Sequence, residues 1–321
     1  MEKNKIGVLL INIGTPDHPT LPAVRRYLKE FLSDRRVVEM PRAVWLPILY
    51  GFILPFRAKK SARFYQKIWT ENGSPLLCHS QQLRIALEKK LEISVELGMR
   101  YGKPSIQNAL ENLKKKNIGK ILILPLYPQY SAATTASTFD HVARVLKTWR
   151  VIPEIRMIWD YADDPLYINA LAESIREQQR DHKAERIVFS FHGIPESFIQ
   201  KGDPYQKRCE LTVSLLAEKL GLNMNEYLMA FQSRLGRAKW LRPYTDKTLQ
   251  KLPKEKIKDI QIICPGFTVD CLETLEEIAI RGKQQFLNRG GERFQYIEAL
   301  NNREDHVDML EGLVQKNVMG W

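Results

Sequence analysis

The sequence has few cysteines and lacks the short motifs of several large enzyme classes. Its four cysteines, Cys78, Cys209, Cys264 and Cys271, form no Cys-x-x-Cys pair. Neither a structural zinc site nor the usual iron–sulfur spacing is therefore predicted. No Gly-x-Gly-x-x-Gly or P-loop motif follows an apolar run, which disfavours dinucleotide and nucleoside-triphosphate binding. The Gly-x-Ser-x-Gly elbow of many serine hydrolases is also absent.

The chain also lacks an apolar run long enough to span a membrane. Its most apolar stretch, Pro41–Phe56, is shorter than the roughly 20 residues that a spanning helix needs, and Pro47 and Pro55 interrupt it. Basic residues flank this stretch: Arg42, Arg57, Lys59, Lys60 and Arg63. Two interpretations stay open, a buried core helix and an apolar lip that contacts a flat hydrophobic ligand and a membrane surface.

Length, composition and charge narrow the class of protein. A chain of 321 residues predicts two domains, and 44% hydrophobic with 27% charged residues is typical of a folded protein. The net charge of +12 favours an anionic partner, either an acidic membrane surface or a carboxylate-bearing substrate. Nucleic acid is not expected, because the basic residues are scattered and no nucleic-acid-binding motif accompanies them. No signal peptide precedes the first apolar run, so reduced thiols and a cytoplasmic location are expected.

A pattern of apolar strands and amphipathic helices occurs twice along the chain. The predicted strands lie in Lys5–Pro16, Ser94–Tyr101, Lys120–Tyr130 and Glu154–Ile158, and again in Arg186–Pro195, Tyr227–Arg234, Asp259–Phe267 and Arg293–Ile297. The predicted helices are Ile106–Lys115, Asp163–Glu177, Asp246–Leu252 and Arg303–Val314. Continuous apolar strands that alternate with helices indicate parallel sheets covered on both faces.

The predicted fold is therefore α/β, with two doubly wound, Rossmann-like lobes of about four parallel strands each, related by internal duplication. We expect the lobes to comprise residues 1–165 and 166–321, with the C-terminal helix packing back between them. Ligands of such sheets bind beyond the carboxyl ends of the strands, so we expect a cleft between the lobes there.

His192 follows a strand in the second half of the chain. When the halves are aligned on Gly-x-Pro, His192 replaces Ile13 of the first half. An imidazole in only one copy suggests a chemical task, although a lone histidine after a strand is often structural.

Glu273 begins a helix after the matching strand of the same half. Glu276 and Glu277 follow at i+3 and i+4, which predicts a column of three carboxylates, and Asp270 is a plausible N-cap. Acidic residues in a first turn also compensate the helix dipole, which is the alternative explanation. An imidazole and a carboxylate at adjacent strand ends suit a divalent first-row metal and can also accept protons.

Five segments resemble the ferrochelatase family in order and spacing: LLINIGTP, YPQYSAATT, FSFHGIPESF, KGDPY and CPGFTVDCLETLEE. The resemblance runs from about Lys5 to Val314. It implies insertion of Fe²⁺ into protoporphyrin IX, or into coproporphyrin III as in some bacterial members, to complete heme synthesis. We favour protoporphyrin IX because the apolar lip suits its hydrophobic edge. The resemblance further implies catalytic and metal-binding roles for His192 and Glu273, and it places Asn12, Ile13, Tyr130 and Phe267 near the porphyrin.

The chain departs from the family pattern at two positions. Cys271 stands where many relatives carry histidine, and Arg281 stands where some carry an acidic residue, so an accessory metal path along the helix is in doubt. Fe²⁺ is expected as substrate, with no iron–sulfur cluster or other cofactor. Two alternatives remain: a chelatase for another metal or tetrapyrrole, and a non-catalytic porphyrin-binding or heme-binding protein.

Overall fold

The computed structural model describes residues 5–236 and 238–321. It contains two four-stranded sheets in which every paired strand is parallel. The strands of the first sheet are β1 (Ile6–Thr15), β2 (Ser94–Gly102), β3 (Lys120–Pro125) and β4 (Glu154–Met157), in the order β2-β1-β3-β4. The strands of the second are β5 (Arg186–His192), β6 (Tyr227–Gln232), β7 (Asp259–Ile263) and β8 (Arg293–Tyr296), in the order β6-β5-β7-β8. The same strand order in both sheets confirms the predicted repeat.

Helices follow the strands in both halves. In chain order they are α1 (Leu21–Leu32), α2 (Arg42–Ile48), α3 (Leu54–Ile68), α4 (Pro75–Leu91), α5 (Ile106–Lys115), α6 (Ser137–Leu146), α7 (Pro165–Asp181), α8 (Glu196–Gln200), α9 (Tyr205–Leu220), α10 (Thr245–Lys251), α11 (Leu272–Thr274), α12 (Lys283–Leu287) and α13 (Glu304–Val318). π-Helical turns cover Leu49–Ile53, Ala132–Ala136 and Leu275–Gly282, and a 3₁₀ turn covers Leu252–Glu255.

The chain divides into two compact units. The first comprises the residues up to Tyr127 together with Ser131–Trp159 and Val307–Trp321, and the second comprises Pro128–Tyr130 and Asp160–His306. The expected boundary between residues 165 and 166, and the expected packing of the C-terminal helix between lobes, stay predictions. Residues 1–4, at the start of the first predicted lobe, lie outside the described residues.

Both sheets are covered on both faces. In β1 the consecutive residues Val8, Leu9, Leu10 and Ile11 are all fully buried, although neighbouring side chains of a strand extend to opposite faces. On one face, β1 and β3 pack with α5 and α6 in a single apolar cluster. In the second unit, β5, β7 and β8 pack similarly with α10 and α12. Burial on both faces explains why these strands read as continuous apolar runs.

The apolar stretch Pro41–Phe56 is helical, with some of its large side chains buried and others exposed. The helix passes through Pro47 and widens to a π-helical turn at Leu49–Ile53, so the prolines do not interrupt it as expected. Trp45 is buried, and its indole N–H donates to the Leu32 carbonyl at 2.7 Å. Phe52 and Phe56 are 66% and 75% exposed. In the described part of the chain, no helix is long and apolar enough to cross a membrane.

Candidate functional site

His192 is the last residue of β5, at the carboxyl end of its sheet. Its Nδ1 lies 2.6 Å from the carbonyl oxygen of Gly193. Because a carbonyl oxygen can only accept a hydrogen bond, Nδ1 carries the hydrogen of the neutral imidazole. The lone pair of Nε2 is then the one that can take up a proton or bind a metal. The ring of Phe267 lies beside it, with the ring centroids 6.3 Å apart.

Gln232 connects His192 with Glu273. It ends β6 and pairs with His192 across the sheet, and its backbone oxygen accepts a bond from the Gly193 N–H at 2.8 Å. Its side-chain Nε2 donates to the backbone oxygen of Glu273 at 2.7 Å, while its Oε1 accepts from the Ser190 hydroxyl at 2.7 Å. One buried amide thus ties the end of β5 to the helix that carries Glu273.

Glu273 is the second residue of α11. Negative charge in a first turn is favoured by the helix dipole. Cys271 occupies the N-cap, and its backbone N–H donates to the Thr274 hydroxyl at 2.9 Å. Burial raises the pKa of the Cys271 thiol well above its ordinary value, and the nearby Glu273 carboxylate raises it further. The thiol form is therefore favoured at this position.

The prediction that Asp270 caps this helix is wrong, since the cap is the next residue. Asp270 is instead a buried carboxylate whose oxygens accept three hydrogen bonds. The donors are the hydroxyls of Thr274 at 2.7 Å and Tyr296 at 2.6 Å, and the side-chain amide of Asn301 at 2.7 Å. Asp270 therefore joins the start of α11 to the segment that follows β8.

Glu276 and Glu277, which were predicted to form a column of carboxylates with Glu273, lie in a π-helix that begins at Leu275. The column itself stays a prediction. Glu276 is 1% exposed and forms an ion pair with Arg281, whose Nη2 lies 3.1 Å from its carboxylate. Glu277 instead accepts bonds from the N–H and hydroxyl of Ser233, at 2.9 and 2.5 Å.

Gln232 and Ser233 were missed by the sequence reasoning. Both stand where β6 ends, and the rule that singled out the polar residues after β5 and β7 applies equally to β6. Ser233 has a φ of +66°, an uncommon backbone conformation for a residue other than glycine. This conformation accompanies the two bonds from Ser233 to Glu277.

The residues expected near a porphyrin fall in both units. Phe267 and Tyr130 belong to the second unit, and the Tyr130 N–H donates to an oxygen of Asp160 at 2.7 Å. Asn12 and Ile13 belong to the first unit, at the end of β1. The Asn12 side chain donates to the Ser80 hydroxyl at 3.1 Å and accepts from the Ile13 N–H at 2.8 Å.

No group of three or more His, Cys, Asp or Glu side chains within residues 5–236 and 238–321 is placed to hold a metal ion. The described cysteines are all free thiols. The expectation that His192 and Glu273 together bind a metal stays a prediction.

Comparisons with known proteins identify a family. The family model described as Ferrochelatase matches residues 5–318. A protein named Ferrochelatase from Hamiltonella defensa subsp. Acyrthosiphon pisum (strain 5AT) is 51% identical, with 98% of this chain and 99% of that protein covered. Another, from Yersinia enterocolitica, is 49% identical, with 99% of each chain covered.

Solved structures share the fold at low sequence identity. SirB from Bacillus subtilis with Fe³⁺ superposes with a TM-score of 0.56 and 13% identity, covering 98% of this chain and 96% of the other. CbiX, described as the terminal enzyme for biosynthesis of siroheme in denitrifying bacteria, superposes with a TM-score of 0.55 and 11% identity. That comparison covers 97% of this chain and 99% of the other. At such identities the likeness concerns the fold, and it confirms the predicted chelatase-like architecture.

Proposed function

The chain belongs to the ferrochelatase family, and from that premise we propose that His192 and Glu273 carry out the insertion of ferrous iron into a porphyrin. The protein is a metal-inserting lyase of heme biosynthesis, with a porphyrin and iron as substrates. The resemblance read from the sequence is confirmed at this level. The roles of individual residues and the choice of porphyrin form the proposal.

The observation that carries the proposal is the tautomer of His192. Its Nδ1–H is held by the Gly193 carbonyl, so Nε2 is the basic atom. In the reaction, Fe²⁺ replaces two pyrrole N–H hydrogens without oxidation or reduction. Two N–H bonds break, four Fe–N bonds form, and two protons leave. We assign the first proton to Nε2 of His192 and the second to water.

Glu273 supplies the charge that attracts the iron. A carboxylate oxygen is a good ligand for a divalent first-row ion, and it replaces part of the hydration shell before the pyrrole nitrogens do. The Gln232 side chain holds the backbone carbonyl of Glu273. Because the backbone is held there, the side-chain carboxylate of Glu273 can move less. Glu277, Glu276 and Asp270 remain accessory, because each is already engaged by other side chains.

The porphyrin has to be bent so that its nitrogens become accessible from both faces. Such distortion of a bound substrate costs about 1–5 kcal/mol, which binding of the rest of the ring offsets. We assign this binding of the porphyrin ring to Asn12, Ile13, Tyr130 and Phe267. The aromatic ring of Phe267 beside His192 supports its part in this assignment.

The direct test is anaerobic insertion of Fe²⁺ into protoporphyrin IX, followed by absorbance. Loss of a general base typically lowers a rate by about 10²–10⁴-fold, and we expect this for His192→Ala with porphyrin binding retained. Glu273→Gln should raise the Fe²⁺ concentration needed for half-maximal rate. His182→Ala, just before the amino end of β5, is the matched control and should keep full activity. Normal turnover by His192→Ala would contradict the assignment.

We propose protoporphyrin IX as the preferred substrate over coproporphyrin III. The exposed apolar side chains of Phe52 and Phe56 match a hydrophobic ring edge that carries vinyl groups. The ratio of kcat/KM for the two porphyrins tests this choice. A higher value for coproporphyrin would reverse the substrate assignment and leave the roles of His192 and Glu273 standing.

We further propose a cytoplasmic enzyme that touches the inner face of the membrane through residues 41–56. Phe52 and Phe56 are exposed, and the basic residues Lys59 and Lys60 follow them. Apolar side chains next to positive charge suit an anionic bilayer surface. Binding to phosphatidylglycerol vesicles should be lost in the double variant Phe52→Ser, Phe56→Ser. Phe139→Ser, at another exposed phenylalanine, should bind as the parent does. Equal binding by all three proteins would refute this contact.

The expectation that activity needs no iron–sulfur cluster stays a prediction. Iron and sulfide analysis of the active protein checks it, and cluster-dependent activity would overturn it.

A further inference from the structure

The first unit contains a cavity of about 630 Å³ whose walls are mainly basic. Six of its lining residues carry positive charge and three carry negative charge: Arg26, Lys29, Arg35, Arg42, Arg100 and Arg144 against Glu30, Asp34 and Asp140. The volume lies within the range of about 300–1,000 Å³ that is typical of small-molecule sites. None of the residues assigned to iron or porphyrin lines it.

Ion pairs within the protein neutralise part of this charge. Arg100 forms a buried ion pair with Asp34, and Arg26 lies 3.3 Å from Asp17. Asp140 is paired with Arg36 at 2.8 Å. These pairs account for two of the six cations and two of the three carboxylates.

The other three arginines that line the cavity have no ion-pair partner of this kind among the described residues. Within residues 5–236 and 238–321, no carboxylate lies within ion-pair distance of Arg35, Arg42 or Arg144. Nη1 of Arg42 is buried and has no hydrogen-bond partner in that same part of the chain. A guanidinium group without a compensating carboxylate favours a nearby oxyanion, so an anion in the cavity would offset the charge of Arg42.

His141 lines the cavity beside Arg100. Burial, followed by the charges of Arg100 and Arg144, lowers its pKa to about 4. Its Nδ1 lies 3.1 Å from Nη1 of Arg100, which can only donate. The neutral ring therefore carries its hydrogen on Nε2, which adds another donor among the residues that line the cavity.

We propose that this cavity binds a small molecule carrying two or more phosphate or carboxylate groups. Guanidinium groups bind such oxyanions through paired, charge-assisted hydrogen bonds. Arg42 opens α2, and Arg144 lies in α6, so one ligand would bridge two helices of the first unit. Binding should therefore also raise the thermal stability of the protein.

The test is calorimetric titration of the full chain with inorganic pyrophosphate and, separately, with citrate, at constant ionic strength. We expect binding of at least one of them, and the comparison separates phosphate from carboxylate recognition. The double variant Arg42→Gln, Arg144→Gln should bind at least about a hundredfold more weakly, as expected for loss of two charged hydrogen bonds. Arg150→Gln, an exposed arginine of the same unit outside the cavity, should bind normally.

Three results would overturn the proposal. The first is that neither anion binds, and the second is that the double variant and Arg150→Gln weaken binding equally, as expected for unspecific attraction. The third is displacement of the anion by protoporphyrin IX, which would make the cavity part of the porphyrin site. Arg35→Gln, at an exposed position, should weaken binding without affecting folding, and it provides a second variant if Arg42→Gln unfolds.

Discussion

Replacing Gln232 with leucine should impair catalysis more than folding. Leucine keeps a similar volume but removes the bond to the Glu273 carbonyl and the acceptor for the Ser190 hydroxyl. The Ser190 hydroxyl keeps the Thr245 hydroxyl as a hydrogen-bond partner at 2.8 Å. The Glu273 carbonyl therefore suffers the larger loss of hydrogen bonding. One partly buried group without its bond costs about 1–3 kcal/mol of unfolding free energy.

The effect on activity follows from the position of Glu273. Removing the partner that orients a metal ligand typically costs about 10–100-fold in metal affinity or activity. We therefore expect kcat/KM for Fe²⁺ to fall by about that factor, while the affinity for porphyrin changes little. Gln232→Glu should fail similarly, because an ionised carboxylate accepts from Ser190 but cannot donate to Glu273.

Gln261 offers a matched control. It is fully buried in β7 of the same sheet, and its Nε2 donates to the His182 carbonyl at 3.1 Å and to Gln295 at 2.8 Å. Gln261→Leu should therefore lower stability to urea similarly, without a comparable loss of insertion rate. If both variants kept the same activity, the positioning role of Gln232 would be refuted.

Three further predictions concern pH, backbone geometry and a buried charge. Burial lowers the pKa of His306 from the ordinary 6.5 to about 4, so the unfolded chain takes up a proton at higher pH than the folded one. Stability should fall by about 2 kcal/mol from pH 7 to pH 5 through this residue, and His306→Gln should reduce the dependence in urea unfolding. Gly14→Ala should cost roughly 3 kcal/mol in thermal unfolding, because Gly14 has a φ of +104° and a Cβ there would lie 1.8 Å from the Tyr101 carbonyl oxygen. Arg281→Gln should cost about 2 kcal/mol in urea unfolding, since it removes the charge paired with buried Glu276.

Each of these predictions has an internal control. An unchanged pH dependence in His306→Gln would show that other groups cause the loss of stability in acid. Gly290→Ala, where φ is +96° but nothing lies within 4 Å, should cost far less than Gly14→Ala, and equal costs would argue against the steric account. Arg281→Lys should recover part of the loss, and no recovery would mean that the charge is not what stabilises Glu276.

The sequence predicted the secondary structure well wherever periodicity was strong. Helix α5 was predicted at Ile106–Lys115 and has those bounds in the structure. Helix α7 was predicted at Asp163–Glu177 and runs over Pro165–Asp181, after Asp164 caps it. The ends of elements are set by caps and neighbouring segments, which periodicity alone does not indicate.

The candidate site was predictable in its residue types but not in its connections. His192 and Glu273 could be singled out because both follow strands of a predicted parallel sheet. Glu276 is buried against Arg281 in a π-helical turn, and no periodicity in the sequence indicates that turn. The burial of Asp270 depends on Tyr296 and Asn301, both of which are distant along the chain.

The sequence by itself determined the class of fold, the repeat and the family, and it predicted His192 and Glu273 as the central residues. Apolar periodicity and the residue types near strand ends are local properties, because they depend only on residues that are close together in the sequence. The tertiary structure decided that Gln232 holds Glu273, and that Arg42 and Arg144 line one cavity with Arg100. These residues lie from about 40 to 100 positions apart along the chain, and they come together only when helices and strands pack.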